Sequence, residues 1–195
     1  MARDGENKKA LDTGTVVLWV LFALSVVVFT LSCGDSLLGL PKLLYVFLRM
    51  ASIVGIIGIL AYFIGESVPR SVYDPYRFPF KTYAWEQNGR IYEKLGVKRR
   101  KAHSIDMSKF MKRSFPKQNT LTRDPERLKR LVQEMCNAEL VHWVLILFSP
   151  VFILLIEGWY GIVISVGYVL SNLNDVIIQR YNRPRILMIL ERLEK

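Results

Sequence analysis

The chain has 195 residues, 51% of them hydrophobic and 23% charged, with a formal net charge of +10 and a mean hydropathy of +0.23. Its apolar residues come in blocks instead of being dispersed, which excludes an ordinary soluble domain and reads as an integral membrane protein. A basic excess invites a nucleic-acid reading, but no nucleic-acid-binding motif accompanies it, and orientation in a membrane with anionic headgroups explains it more simply.

In chain order, residues 16–32, 43–64, 140–156 and 159–178 each approach the roughly 20 apolar residues needed to cross hydrocarbon. The expected fold is therefore all-α, one membrane domain with four transmembrane helices. Lys8 and Lys9 precede the first run, which ends in Leu31-Ser32-Cys33-Gly34 and so has something of a cleaved signal peptide. The run is long for a signal core, Thr30 stands where a lipoprotein signal wants an aliphatic residue, and a second span follows closely, so an uncleaved hairpin is expected. Arg49 falls in the first two turns of the second span and must snorkel or find a polar partner, unless the span starts later than Leu43.

Residues 65–138 hold 17 Lys and Arg against 8 Asp and Glu. By the positive-inside rule this segment is a cytoplasmic loop between spans two and three, residues 179–195 are a cytoplasmic tail, and both termini face the cytoplasm of a multi-pass cell-membrane protein. Cys33 and Cys136 then lie on opposite sides of the bilayer, so no disulfide and no cysteine-based metal site is expected. Within the loop, Val68 to Phe80 carries three prolines among aromatic and basic residues and suits a stretch lying along the headgroup layer. Trp85 to Leu95 reads as a short amphipathic helix, and Lys98-Arg99-Arg100-Lys101 is either a phosphate-binding cluster or a solvated basic run. Asp124, Pro125 and Glu126 form an N-cap, a first-turn proline and a first-turn acid, opening a helix that can run unbroken into the third span.

The residues with chemistry cluster at the ends of the last two spans. Glu139 and His142 are three apart and share a helix face, where a carboxylate could orient an imidazole as general base at the membrane interface. Ionisable groups at that depth are costly enough to suggest function, although the pair could simply satisfy itself beside Trp143. On the fourth span Asn172, Asp175 and Gln179 form a polar stripe, with Asp175 about 7 Å into the membrane at 1.5 Å per residue, near the depth of His142. Asp175 thus competes with Glu139 as the partner of His142. Gln179-Arg180-Tyr181-Asn182-Arg183-Pro184-Arg185 is the densest polar motif: its arginine forks suit phosphate or carboxylate oxygens, and Pro184 is expected to break the helix there. His103, with Asp106 three residues on, is the only other histidine, and no HxxxH or HExxH spacing supports a metal site.

Ala138-Glu139-Leu140-Val141-His142-Trp143 leading into one span, and Ile178-Gln179-Arg180-Tyr181-Asn182-Arg183-Pro184-Arg185 closing the next, resemble the glycosyl-4,4'-diaponeurosporenoate acyltransferase family. A weaker similarity runs through Phe80-Lys81, Trp85-Glu86, Gly89 and on to His103, and the first two spans show none. The resemblance implies a membrane enzyme that esterifies a sugar hydroxyl of a glycosylated carotenoid acid with a fatty acyl chain, towards a staphyloxanthin-type pigment. Carried onto this sequence, Glu139 and His142 are the expected acid/base unit, to which the polar stripe of the fourth span adds Asp175. Gln179, Arg180, Asn182, Arg183, Arg185, Asn172, Trp85, Glu86 and His103 are the expected substrate-binding group. The donor is an acyl thioester on coenzyme A or acyl carrier protein, the acceptor a glycosylated isoprenoid or glycolipid, and no further cofactor is implied. Asn174-Asp175 departs from the less polar residues the resemblance suggests, and the loop diverges after His103, so a different acceptor is open. Two other classes fit the same residues: a module that binds anionic lipid or stabilises a partner without catalysis, and an enzyme that uses an isoprenoid diphosphate.

Overall fold

The computed structural model describes residues 13–33, 40–97 and 124–194, and every regular element among them is helical. Helix α1 spans Thr13–Cys33 and α2 spans Lys42–Ser67, and the two form a hairpin in which Trp19 stacks on Phe63 at 5.0 Å. Helix α1 is apolar all round, and Val20 and Leu24 on it are 61% and 57% exposed, as suits a helix whose solvent is lipid. Helix α2 begins at Lys42, so the span does not start late to avoid Arg49.

After α2 the chain makes a 3-10 turn at Arg70–Val72, a second 3-10 segment at Ala84–Gly89 and a one-turn helix, α3, at Ile91–Lys94. The expectation of one amphipathic helix from Trp85 to Leu95 is corrected here. Gln87, Asn88 and Gly89 take positive φ values of 49°, 54° and 85°, which no helix accommodates. Gly89 packs against the last helix of the chain, Trp159–Leu193, where a Cβ would lie 3.0 Å from the Tyr181 carbonyl oxygen. The proline-rich stretch before it does not lie wholly on a surface either, because Tyr73 and Phe80 are buried against Cys136.

Helix α4, Pro125–Phe148, opens on Asp124, whose side chain accepts from the Glu126 amide at 3.1 Å, and it runs without a break towards the membrane as its capping residues require. Ser149-Pro150 offsets a short α5, Val151–Leu155, and Gly158 at φ 67° turns the chain into α6, Trp159–Leu193. At 1.5 Å per residue the 35 residues of α6 extend roughly 50 Å, well beyond the ~30 Å of hydrocarbon.

The expected break at Pro184 does not occur, for Pro184 is buried inside α6. Proline denies the Arg180 carbonyl its helical partner, a cost of ~3 kcal/mol in an isolated helix, but packing on both sides of it compensates. Ile186, Leu187 and Leu190 close on Leu128, Leu131, Val132 and Met135 of α4, each fully buried aliphatic side chain contributing ~1.5–3 kcal/mol. Helices α4 and α6 therefore continue as an antiparallel pair past the apolar zone. A second cluster, Val46, Ile53, Phe152 and Ile156, joins α2 to the α5 end. The α2 and α4 axes approach closely at Gly65, where a Cβ would fall 2.5 Å from Asn137 Oδ1 and 2.6 Å from Val141 Cγ2. Four segments, Gly14–Cys33, Lys42–Ser67, Pro125–Leu155 and Trp159–Leu193, are long and apolar enough to cross a membrane. The molecule is a multi-pass membrane protein.

Candidate active site

Where α4 meets α6, the sequence puts two arginines and a carboxylate among apolar residues, and the loop supplies the charge that balances them. Glu139 is fully buried. It accepts from Arg180 Nε at 2.7 Å, from Arg183 Nη1 at 2.5 Å and from the Trp143 indole at 3.4 Å. Glu86, 1% exposed, accepts from Arg180 Nη1 at 2.9 Å, from the Tyr92 hydroxyl at 2.5 Å and from the Tyr83 amide at 2.7 Å. The guanidinium groups also donate to loop carbonyls, Arg180 to Pro79 at 2.8 Å and Arg183 to Phe80. Two carboxylates and two guanidiniums cancel, so this cluster carries no net charge. Desolvating four charges is costly, and only such complete pairing makes it tolerable.

The electrostatics of the loop side follow from that pairing. Burial alone would push the Glu86 carboxyl up. Hydrogen bonds from Tyr92, Arg180 and the Tyr83 amide, with the charge of Arg180, outweigh burial and hold it below the usual carboxylate value. Burial first, then the bond to Glu86, raises the Tyr92 phenol.

One turn further along α4 from Glu139, His142 turns to α6 instead. Its Nδ1 lies 2.9 Å from Asn172 Oδ1, and its Nε2 lies 4.0 Å from Asp175 Oδ2. Asn172 Nδ2 donates to the Tyr168 carbonyl at 2.9 Å. That bond turns the amide oxygen towards His142, and an amide oxygen only accepts, so Nδ1–H is the donor of this pair. Nε2 faces the gap to Asp175. The His142 and Asp175 side chains are 23% and 32% exposed, enough to be reached from outside the helix pair.

Of the residues expected in the site, the structure joins His142, Asn172 and Asp175 in one group and Glu139, Arg180, Arg183 and Glu86 in another. Glu139 hydrogen-bonds to the arginines and Trp143, and Asn172 and Asp175 take the place beside His142. Gln179 is buried, and the Asn182 amide donates to the Ile178 carbonyl at 2.9 Å. Arg185 pairs with Glu93 at 2.5 Å and stacks on Tyr181, 3.4 Å from its ring centroid. Trp85 is 59% exposed, edge-on to Tyr92. His103, Asp106 and the cluster from Lys98 to Lys101 lie outside the described residues.

Sequence reasoning missed a polar layer that ties the loop to the end of α2. Arg70 Nε donates to Glu134 at 3.0 Å and Nη2 to Glu66 at 2.7 Å. The Tyr73 hydroxyl lies 3.0 Å from both the Gly65 carbonyl and Asn137 Oδ1. Glu134 and Asn137, at i and i+3 ahead of Glu139 on the same helix, were the available signal.

The sequence profile of the glycosyl-4,4'-diaponeurosporenoate acyltransferase family matches residues 69–192. The chain belongs to this family. Glycosyl-4,4'-diaponeurosporenoate acyltransferase of Staphylococcus haemolyticus strain JCSC1435 is 33% identical over 120 residues, 60% of this chain and 69% of the relative. Its namesakes from Staphylococcus aureus strains MRSA252 and N315 are 28% and 27% identical over 134 residues, 68% of this chain and 80% of each relative. No solved structure matches. The family match begins just after α2 and takes in both the His142 group and the buried carboxylate–arginine cluster, and helices α1 and α2 fall outside it.

Proposed function

We propose that this protein is a membrane O-acyltransferase that moves a fatty acyl group from an activated thioester to a sugar hydroxyl of a glycosylated carotenoid or related glycolipid. Membership of a family named for acyl transfer to a glycosylated carotenoid acid supports the reaction class. The observation that carries the mechanism is the contact of His142 Nδ1 with Asn172 Oδ1 at 2.9 Å, which supports a neutral imidazole in the reacting state with Nδ1 protonated and Nε2 free to accept a proton. A general base must present its lone pair where a hydroxyl can arrive, and the 4.0 Å gap between Nε2 and Asp175 admits one at its mouth.

In this reading His142 Nε2 takes the proton of the sugar hydroxyl as its oxygen attacks the thioester carbonyl. Asp175 steadies the imidazolium that forms, and the proton passes to the departing thiolate as the carbon–sulfur bond breaks. Products are the ester and a free thiol. Asn172 keeps the imidazole in the productive tautomer. Glu139, Arg180, Arg183 and Glu86 touch no substrate in this scheme and act as positioning residues, anchoring the turn of α4 that carries His142. An isoprenoid-diphosphate enzyme would instead call on Arg180 and Arg183 to meet phosphate, and both are already neutralised by Glu139 and Glu86. The site would open at the cytoplasmic face of the cell membrane, with both termini on that side, as the basic segment 65–138 argues.

Purified protein in detergent, given a radiolabelled acyl thioester and a glycosylated carotenoid, should release free thiol in step with labelled ester. Turnover that survives omission of the thioester but needs an isoprenoid diphosphate would overturn the donor assignment.

A further inference from the structure

At the end of the molecule remote from His142, an arginine lies within a membrane-spanning helix. Arg49 lies seven residues inside α2 from Lys42, about 10 Å along the helix axis. Its Nη1 donates to the Tyr45 hydroxyl at 2.7 Å, which in turn donates to the Ser32 carbonyl at 2.9 Å. Nη2 reaches only Cys33 Sγ at 3.5 Å, and Nε is buried with no partner. Among the described residues no Asp or Glu pairs with Arg49, a costly arrangement for a cation at this depth. The guanidinium borders a groove of about 250 Å³ lined by Leu40, Lys42, Tyr45, Val46, Ile156 and Glu157. Lys42 adds a second cation, its ammonium 5.7 Å from the Tyr160 ring centroid.

We propose that this groove binds the phosphate of an anionic membrane lipid, with Arg49 as the principal donor and Lys42 at its rim. The phosphate oxygens match the guanidinium fork and would satisfy the orphaned Nε. A lipid fits better than a free phosphate because the surroundings are apolar. Val46 and Ile156 wall the groove, and Leu43 and Phe47 beside it are 73% and 56% exposed, surfaces that acyl chains would cover. Ile156 lies 14 residues beyond His142, about 20 Å by helical rise. The site is therefore distinct from the reaction centre, occupies the other leaflet, and stands whether or not the acyltransferase reading holds.

The test is native mass spectrometry of the full chain in nanodiscs of mixed phosphatidylglycerol and phosphatidylcholine, comparing wild type, Arg49→Gln, Lys42→Gln and Arg90→Gln. Arg90 is exposed on the loop and serves as the control for non-specific basic attraction. Wild type should retain phosphatidylglycerol selectively, and Arg49→Gln should weaken that retention about fivefold, the scale of one cation near a lipid surface. Lys42→Gln should weaken it less and Arg90→Gln not at all. Lys42 is exposed, so its variant decides the matter should Arg49→Gln not fold. Equal retention of both lipids by wild type, or selectivity unchanged in Lys42→Gln and Arg49→Gln, would overturn the proposal. Displacement of the lipid by inorganic phosphate at millimolar concentration would overturn the lipid assignment in favour of a small-anion site.

Discussion

At the scale of single residues, His142 and Glu139 make separate sets of contacts, and substitutions should separate their proposed duties. His142→Ala removes the proposed base and should lower turnover by about 10²–10⁴, the usual contribution of a positioned proton acceptor, with little change in thermal stability. Glu139→Gln should do the reverse in kind. It leaves Arg183, 1% exposed, without its counter-charge, and breaking a buried pair on one side costs about 3–5 kcal/mol. A thermal melt in detergent checks this, and a melt unchanged in Glu139→Gln would remove Glu139 from its anchoring role. The residue types and their neighbourhood were legible in the sequence, because ionisable groups at the ends of apolar runs are conspicuous. The pairing was not. Glu139 and His142 share a helix face, but spacing says nothing of what the opposite helix and the loop offer, and two arginines from α6 attract Glu139 more strongly than a neutral imidazole can. Glu86 shows the same limit: expected among the substrate-binding residues, it is instead surrounded by Tyr83, Tyr92 and Arg180.

At the scale of elements, the four apolar helices and the capped start of α4 at Asp124 followed from composition and capping chemistry alone. Pro184 and the 85–95 segment did not, because tertiary packing overrides local preference in both: Ile186, Leu187 and Leu190 keep α6 continuous past Pro184, and the Tyr181 backbone closes on Gly89, where the chain is left-handed. The close approach of α2 to α4 gives a further test. Gly65→Ala places a methyl 2.5 Å from Asn137 Oδ1 and 2.6 Å from Val141 Cγ2, and should destabilise the protein by about 1–3 kcal/mol as overpacking does. The loop anchor responds to pH with a definite sign. Glu86 is held below its ordinary carboxylate value, so its stabilisation is complete above that ordinary value and is lost as pH falls through the depressed one. Hydrogen exchange during acidification should accordingly show segment 79–92 opening at a higher pH in Glu86→Gln than in wild type, whereas identical profiles would mean that the carboxylate does not hold the loop.

At the scale of the whole molecule, the proposed orientation puts the two candidate sites in opposite leaflets. The basic segment and the α4–α6 extension lie at the His142 end, and Cys33 with the Arg49 groove at the other. A membrane-impermeant maleimide added to intact cells should therefore label exposed Cys33 and spare buried Cys136. Labelling of Cys33 only after the cells are broken open would invert the topology. The central claim is that His142 drives transfer of an acyl group to a glycolipid. It is tested most directly by lipid mass spectrometry of cells that contain the glycosylated carotenoid and express either wild type or His142→Ala at matched levels. Wild type alone should yield a species heavier than the acceptor by one fatty acyl residue. The same lipid profile from both strains would contradict it.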